Sequence, residues 1–231
     1  VRTFFFAKIK RTLNKLVGLI KKQRMEERLI PIKKTARIII AGNHQAKIAV
    51  VVLHGYGEMS NTFLKNIQID SKIFWLAPEA LNRFYLEGFS GKVGASWMTK
   101  ELRNTDIKDN LDYLEEVWSE FKLKEKFEKV ILLGFSQGGA TAIRFAYQFF
   151  NKIDGLIVWA SDFPNELESV FNDKTSHLKK IFVIGNNDPF FKSERQEKLK
   201  KELSNQGFKI ISYCGKHSID HLVLNEIIAS F

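Results

Sequence analysis

Only one cysteine, Cys214, occurs in 231 residues, so no intrachain disulfide can form and metal sites built on several cysteines are excluded. A reducing, cytoplasmic setting fits that count. Long apolar runs are missing from the N-terminal region. Lysines interrupt every apolar stretch there, so a transmembrane span is not expected. No long apolar segment with small-residue cleavage signals is present either, so a secretory leader is not expected. Neither Gly-x-Gly-x-x-Gly nor a Gly-Lys-Ser/Thr ending occurs, which argues against a phosphate-binding loop. Internal repeats, low-complexity tracts and linkers are absent as well.

Acids are lacking from the first 24 residues, which hold Arg2, Lys8, Lys10, Arg11, Lys15, Lys21, Lys22 and Arg24. The net charge of +10 therefore belongs mostly to this segment, because the rest of the chain has 28 bases against 26 acids. Phe5, Ile9, Leu13, Leu16, Val17 and Ile20 recur at helical spacing between the bases. Residues 1–27 thus read as a basic amphipathic extension, with a peripheral membrane contact through residues 1–24. The competing expectation is a poorly ordered tail, or a start placed too far upstream, with Met25 as the natural start. Nucleic-acid binding is not expected, since Phe4–Phe6 are clustered rather than interleaved with the bases.

Residues 28–231 are long enough for one domain with a sizeable core, and the whole chain's apolar content of 45% and charged content of 27% are ordinary. Leu29–Ile40 is rich in β-branched residues. Ile48–Leu53, Phe74–Ala77, Val130–Phe135, Gly155–Ala160, Ile181–Gly185 and Lys209–Cys214 read as strands, mostly as continuous apolar runs. Asp106–Phe121, Ala140–Phe150, Lys192–Asn205 and Ile219–Ser230 read as helices. Buried strands alternating with helices predict an α/β domain, a mostly parallel sheet covered on both faces in three layers. Leu81–Arg103 shows no period and reads as a long connection of the functional kind.

Gly134-Phe135-Ser136-Gln137-Gly138 follows the apolar strand Val130–Leu133 and precedes a helix. A Gly-x-Ser-x-Gly pattern arises by chance in about one chain in 12 of this length. A strand-to-helix elbow is, however, where a nucleophilic serine is needed, exposed at the sheet edge beside a helix N-terminus. Ser136 is therefore the candidate nucleophile. On this fold the acid and then the histidine follow the serine in the chain. His44 and His54 precede Ser136, and His177 precedes the best acid. His217, in the loop after Lys209–Cys214, is preferred as base over His221, one turn further on. Asp188, after the strand Ile181–Gly185, is preferred as acid over Asp162, after Gly155–Ala160. The i, i+4 pair His217/His221 lacks the glutamate and third ligand of a zinc site, so no metal is expected.

Val50–Leu53 runs into His54-Gly55-Tyr56-Gly57. A His-Gly turn after an early central strand suits one half of an oxyanion hole. The backbone N–H groups of Tyr56 and Gln137 are the candidate donors, and His54 is then structural. Phe84, Tyr85, Phe89, Trp97 and Met98, with glycines between them, are candidate substrate-pocket residues that would wall or cover an apolar acyl group. A loop that merely packs its aromatics on the sheet is the equal alternative.

His54-Gly55-Tyr56-Gly57, Gly134-Phe135-Ser136-Gln137-Gly138-Gly139-Ala140, Asn187-Asp188-Pro189 and His217-Ser218-Ile219 stand in the order of the phospholipase/carboxylesterase family. Residues 46–231 resemble that family, which includes the acyl-protein thioesterases. The resemblance implies a small, nearly lidless α/β-hydrolase that cleaves carboxylic esters or thioesters of small molecules, without metal or cofactor. It carries Ser136, Asp188 and His217 as triad and Tyr56 and Gln137 as oxyanion donors. Two departures stand out: Lys216 precedes His217 where the family usually has Gly, and Trp97-Met98-Thr99 replaces Trp-Phe-Asp. Leu76–Lys100 is similar to bacterial members of unassigned substrate. The function expected is a serine esterase or thioesterase. The alternative is a non-catalytic binding protein of the same fold, with the N-terminal helix as its membrane or partner contact.

Overall fold

The computed structural model describes residues 25–231, and the amphipathic segment 1–24 lies outside the described residues. The chain divides into two units, residues 1–35 and 36–231. In the first, residues 25–35 have no regular secondary structure, and Leu29, Ile30 and Ile32 are exposed.

The second unit is built on a seven-stranded sheet. Its strands are β1 (Ile38–Gly42), β2 (Ile48–Leu53), β3 (Phe74–Pro78), β6 (Lys129–Phe135), β7 (Gly155–Trp159), β8 (Lys179–Gly185) and β9 (Lys209–Tyr213). The spatial order is β1-β3-β2-β6-β7-β8-β9, with β1 antiparallel to β3 and every other pairing parallel. The β-branched stretch expected from Leu29 is a strand only over Ile38–Gly42, where it pairs with Phe74–Pro78. β-propensity without a partner edge does not hold a strand.

The helices are α1 (Ser60–Asn66), α2 (Arg103–Phe121), α3 (Leu123–Lys126), α4 (Gln137–Gln148), α5 (Phe171–Thr175), α6 (Ser193–Asn205) and α7 (His221–Ala229). They complete the three-layer α/β arrangement. Helix α4 starts three residues earlier than its periodicity suggests, because Gln137-Gly138-Gly139 continues straight from Ser136. Strands β2, β3 and β7 are apolar throughout and nearly all their side chains are buried, as parallel strands covered on both faces must be. A cleft of 820 Å³ lies where β2, β6, β7, β8 and β9 end, the edge at which open parallel sheets place ligands.

The stretch Leu81–Arg103 is not a loop throughout. It contains a hairpin, β4 (Asn82–Tyr85) and β5 (Val93–Ser96), in antiparallel register. Four-residue strands are too short to show alternation in the sequence. The hairpin is anchored at its base. The buried Glu79 carboxylate accepts from Arg83 Nε at 2.7 Å and from Arg37 Nε at 3.1 Å. Burial alone would raise its pKa, but the two guanidinium groups overcome that and hold it below the usual glutamate range.

Lys180 of β8 is a buried cation whose partners among the described residues are neutral, Asn172 Oδ1 at 2.9 Å and Thr175 Oγ1 at 3.2 Å. Burial lowers its pKa to about 8. The unfolded chain therefore binds more protons than the folded one between about 8 and the usual lysine value near 10.4, so stability rises with pH across that window. Lys180→Met is expected to stabilise the protein at pH 7 by about 1–3 kcal/mol. The gain should shrink towards pH 10. Urea unfolding of both proteins across that range measures it, and a variant no more stable than wild type at pH 7 refutes the buried-cation cost.

Candidate active site

The strand ends deliver the expected residues to one place. Ser136 sits directly between β6 and α4 with φ 51° and ψ −120°. That backbone is costly for a side chain with a Cβ, by about 1–3 kcal/mol. Two glycines make the turn possible. A Cβ on Gly134 would lie 2.4 Å from Gly138 O, and one on Gly138 would lie 2.2 Å from Leu53 O. The elbow is tied to its neighbour strand by Ser136 N–H donating to Trp159 O at 2.9 Å.

Ser136 Oγ lies 3.0 Å from His217 Nε2, and His217 Nδ1 lies 2.7 Å from Asp188 Oδ2. The carboxylate is an acceptor, so Nδ1 carries the proton and Nε2 is left to accept from the serine hydroxyl. Asp188 is buried and is fixed by Phe190 N–H donating to its Oδ1 at 2.9 Å. The loop bearing His217 descends onto the end of β8. Asn187 N–H donates to Gly215 O at 2.9 Å, and a Cβ on Gly185 would meet that same oxygen at 2.5 Å.

The alternatives are engaged elsewhere. Asp162 lines the cleft, but its Oδ1 accepts from Arg195 at 2.6 Å. His221 is the first residue of α7 and does not line the cleft. His54 is fully buried. Its Nε2 accepts the Ala80 N–H at 3.1 Å, so Nδ1 is the donor to Gly55 O at 2.7 Å. Burial lowers its pKa and keeps it neutral. Among the described residues no three His, Cys, Asp or Glu side chains are grouped to hold a metal ion.

Tyr56 and Gln137 both line the cleft, and neither backbone N–H donates a hydrogen bond among the described residues. The Gln137 side chain has a second job. It accepts from Trp97 N–H at 2.9 Å and donates to Met98 O at 2.7 Å, which clasps the end of the hairpin to the elbow.

The aromatic-loop expectation needs correction. Met98 lines the cleft, but Phe84, Tyr85, Phe89 and Trp97 do not. Phe84 packs against Tyr56 with the rings tilted and their centroids 5.2 Å apart. Tyr85 is half exposed and Phe89, at the hairpin tip, is 98% exposed. A hairpin turns its tip to solvent, where a loop folded over the sheet would have laid these rings across the site. Trp97 is fully buried, and its Nε1 donates to His54 O at 2.8 Å. The apolar wall comes instead from Phe135, Phe190 and Phe191, with centroids 4.9, 4.6 and 6.3 Å from the His217 ring. Sequence reasoning missed Phe190 and Phe191. Their signal was adjacency, since they directly follow Asp188-Pro189. Glu58, Lys100 and Arg103 also line the cleft and were not singled out.

Sheet order, elbow and cleft define an α/β-hydrolase. A model of the phospholipase/carboxylesterase family matches residues 34–230, and the chain belongs to that family. No curated protein matches it. Solved structures of similar fold include esterase PE8, 20% identical with a TM-score of 0.62, covering 86% of this chain and 98% of that one. Zea mays acyl-protein thioesterase 2 is 16% identical with a TM-score of 0.65, covering 85% of this chain and 97% of that one. A phospholipase/carboxylesterase from Dyadobacter fermentans is 21% identical with a TM-score of 0.55, covering 86% of this chain and 99% of that one.

Trp97→Ala is expected to act on stability rather than on acyl selectivity, since it empties a buried site and strips a donor from His54 O. A loss of about 3–5 kcal/mol in urea unfolding is the expected outcome. Met98→Ala should instead change chain-length preference and leave the unfolding midpoint almost in place. A stable Trp97→Ala protein with altered selectivity would restore Trp97 to the pocket.

Proposed function

We propose that this protein is a serine hydrolase that cleaves carboxylic esters or thioesters through an acyl-enzyme on Ser136. The observation that carries this reading is the His217 ring, bonded to Ser136 Oγ on one side and to buried Asp188 on the other. A histidine so held has the right tautomer to take the serine proton, and the carboxylate stabilises the imidazolium that forms.

The steps follow from that geometry. Ser136 Oγ attacks the acyl carbon as its proton passes to His217 Nε2. The carbonyl oxygen becomes an oxyanion, which the Tyr56 and Gln137 N–H groups stabilise. His217 returns the proton to the leaving alcohol or thiol, the carbon–heteroatom bond breaks, and an ester on Ser136 remains. Water, deprotonated by His217, then releases the carboxylic acid and restores the serine. The walls formed by Phe135, Phe190, Phe191 and Met98 favour an apolar acyl group beside the reacting carbonyl.

Ser136→Ala is expected to lower kcat on short p-nitrophenyl esters by at least about 10⁴-fold. Asp188→Asn should cost about 10⁴-fold, because the histidine is then held in the wrong tautomer. A fluorophosphonate probe should label wild type at Ser136 and leave Ser136→Ala unlabelled. Wild-type protein that neither labels nor turns over any ester or thioester in a panel of graded chain length is a binding protein, and the proposal fails.

A further inference from the structure

Glu58 is a carboxyl group of the cleft to which the acyl transfer gives no role. It closes the turn that follows β2. Its side chain folds back, and Oε2 accepts the Gly55 N–H at 2.8 Å. Its own N–H donates to Gly55 O at 3.3 Å. The turn is then pinned to β5 by Gly57 N–H donating to Ala95 O at 2.9 Å and Ala95 N–H donating to Glu58 O at 3.1 Å. Among the described residues every backbone N–H from Gly55 to Glu58 thus has a partner except that of Tyr56. Gly55 has no slack, since a Cβ there would lie 2.9 Å from Glu58 Oε2 and 3.1 Å from the Phe135 ring.

The carboxyl group has no salt bridge among the described residues. Its cleft also contains Tyr56, His217 after β9, Lys100 ahead of α2, Arg103 as the first residue of α2, and Asp162 after β7. Ala95, the residue facing it from β5, carries no charge. A carboxylate placed there without a cation in contact is costly unless a hydrogen bond to its charged form offsets the loss of water. The Gly55 N–H supplies that bond. A residue kept only to fill space would not need the charge.

We propose that Glu58, as a carboxylate, is a positioning residue for the acyl transfer: it holds the Gly55–Glu58 turn closed and so keeps the Tyr56 N–H unbonded at the cleft. This rests on the reading of Ser136 as nucleophile. Protonation weakens the Gly55 bond, because a neutral carboxyl accepts less strongly. Burial raises the pKa of Glu58, which brings that loss nearer to the working range.

Glu58→Gln keeps a carbonyl oxygen for Gly55 but cannot ionise, and Glu58→Ala removes both. With p-nitrophenyl esters at pH 8, Glu58→Ala is expected to lower kcat about 10- to 100-fold, less than the loss of an oxyanion donor itself, with KM changed less than about threefold. Glu58→Gln, which keeps the acceptor but not the charge, should recover part of that loss, to within about three- to tenfold of wild type. On the acid side, the ratio of wild-type to Glu58→Gln kcat/KM should fall towards one as Glu58 protonates. Wild-type kcat in a folded Glu58→Ala, or a wild-type to Glu58→Gln ratio that does not change with pH, overturns the proposal. Should Glu58→Ala fail to fold, the pH dependence of that ratio decides. Ser136→Ala run in parallel separates the two claims: activity that depends on Ser136 but not on Glu58 removes only the positioning role.

Discussion

The left-handed backbone at Ser136 is the constraint around which the second unit is arranged. A serine at φ 51° projects its hydroxyl beyond the sheet edge while its chain neighbours enter a strand and a helix. The turn survives because Gly134, Gly138 and the end of β2 pass within distances that admit no side chain. The buried strands on either side absorb the strain, since moving the serine would mean moving β2, β6 and β7 together. The same closeness opens the amide of Gln137 at the N-terminus of α4, where the helix dipole adds partial positive charge.

Polar groups around that turn are arranged so that their protonation is decided by burial and bonding. His54 is neutral because it is desolvated and bonded on both nitrogens. Glu79 is ionised because two arginines hold it. The Trp97 indole joins the hairpin to His54 O, and the Gln137 side chain joins the hairpin to the elbow. The nucleophile turn, the turn after β2 and the base of the hairpin are therefore one bonded assembly.

How much of this the sequence carries depends on the kind of signal. Ser136, Asp188 and His217 were legible because each follows a strand that reads clearly as an apolar run, and chain order restricts the rest. The turn at His54–Gly57 was legible for the same reason. The aromatic residues between Leu81 and Met98 were not, because direction is a tertiary property. Composition marks Phe84 and Phe89 as apolar, but only the hairpin register decides that Phe89 points outward and Trp97 inward. Phe190 and Phe191 were hidden by a different cause. Each is an ordinary apolar residue at the start of a loop, and only the return of the His217 loop across β8 gives it a ring to pack against. Glu58 was missed because its partner is a backbone amide three residues away, which leaves no pattern in the side chains.

The residues of the cleft come from turns spread between Tyr56 and His217, across more than two thirds of the chain. No single hairpin or helix pair contains two of the three bonded side chains. A chain halted before β9 has a serine elbow and a buried aspartate but nothing to join them. The cleft is complete only when the last parallel strand of the sheet is in place. A single bond between His217 and Ser136 reports on the whole sheet at once.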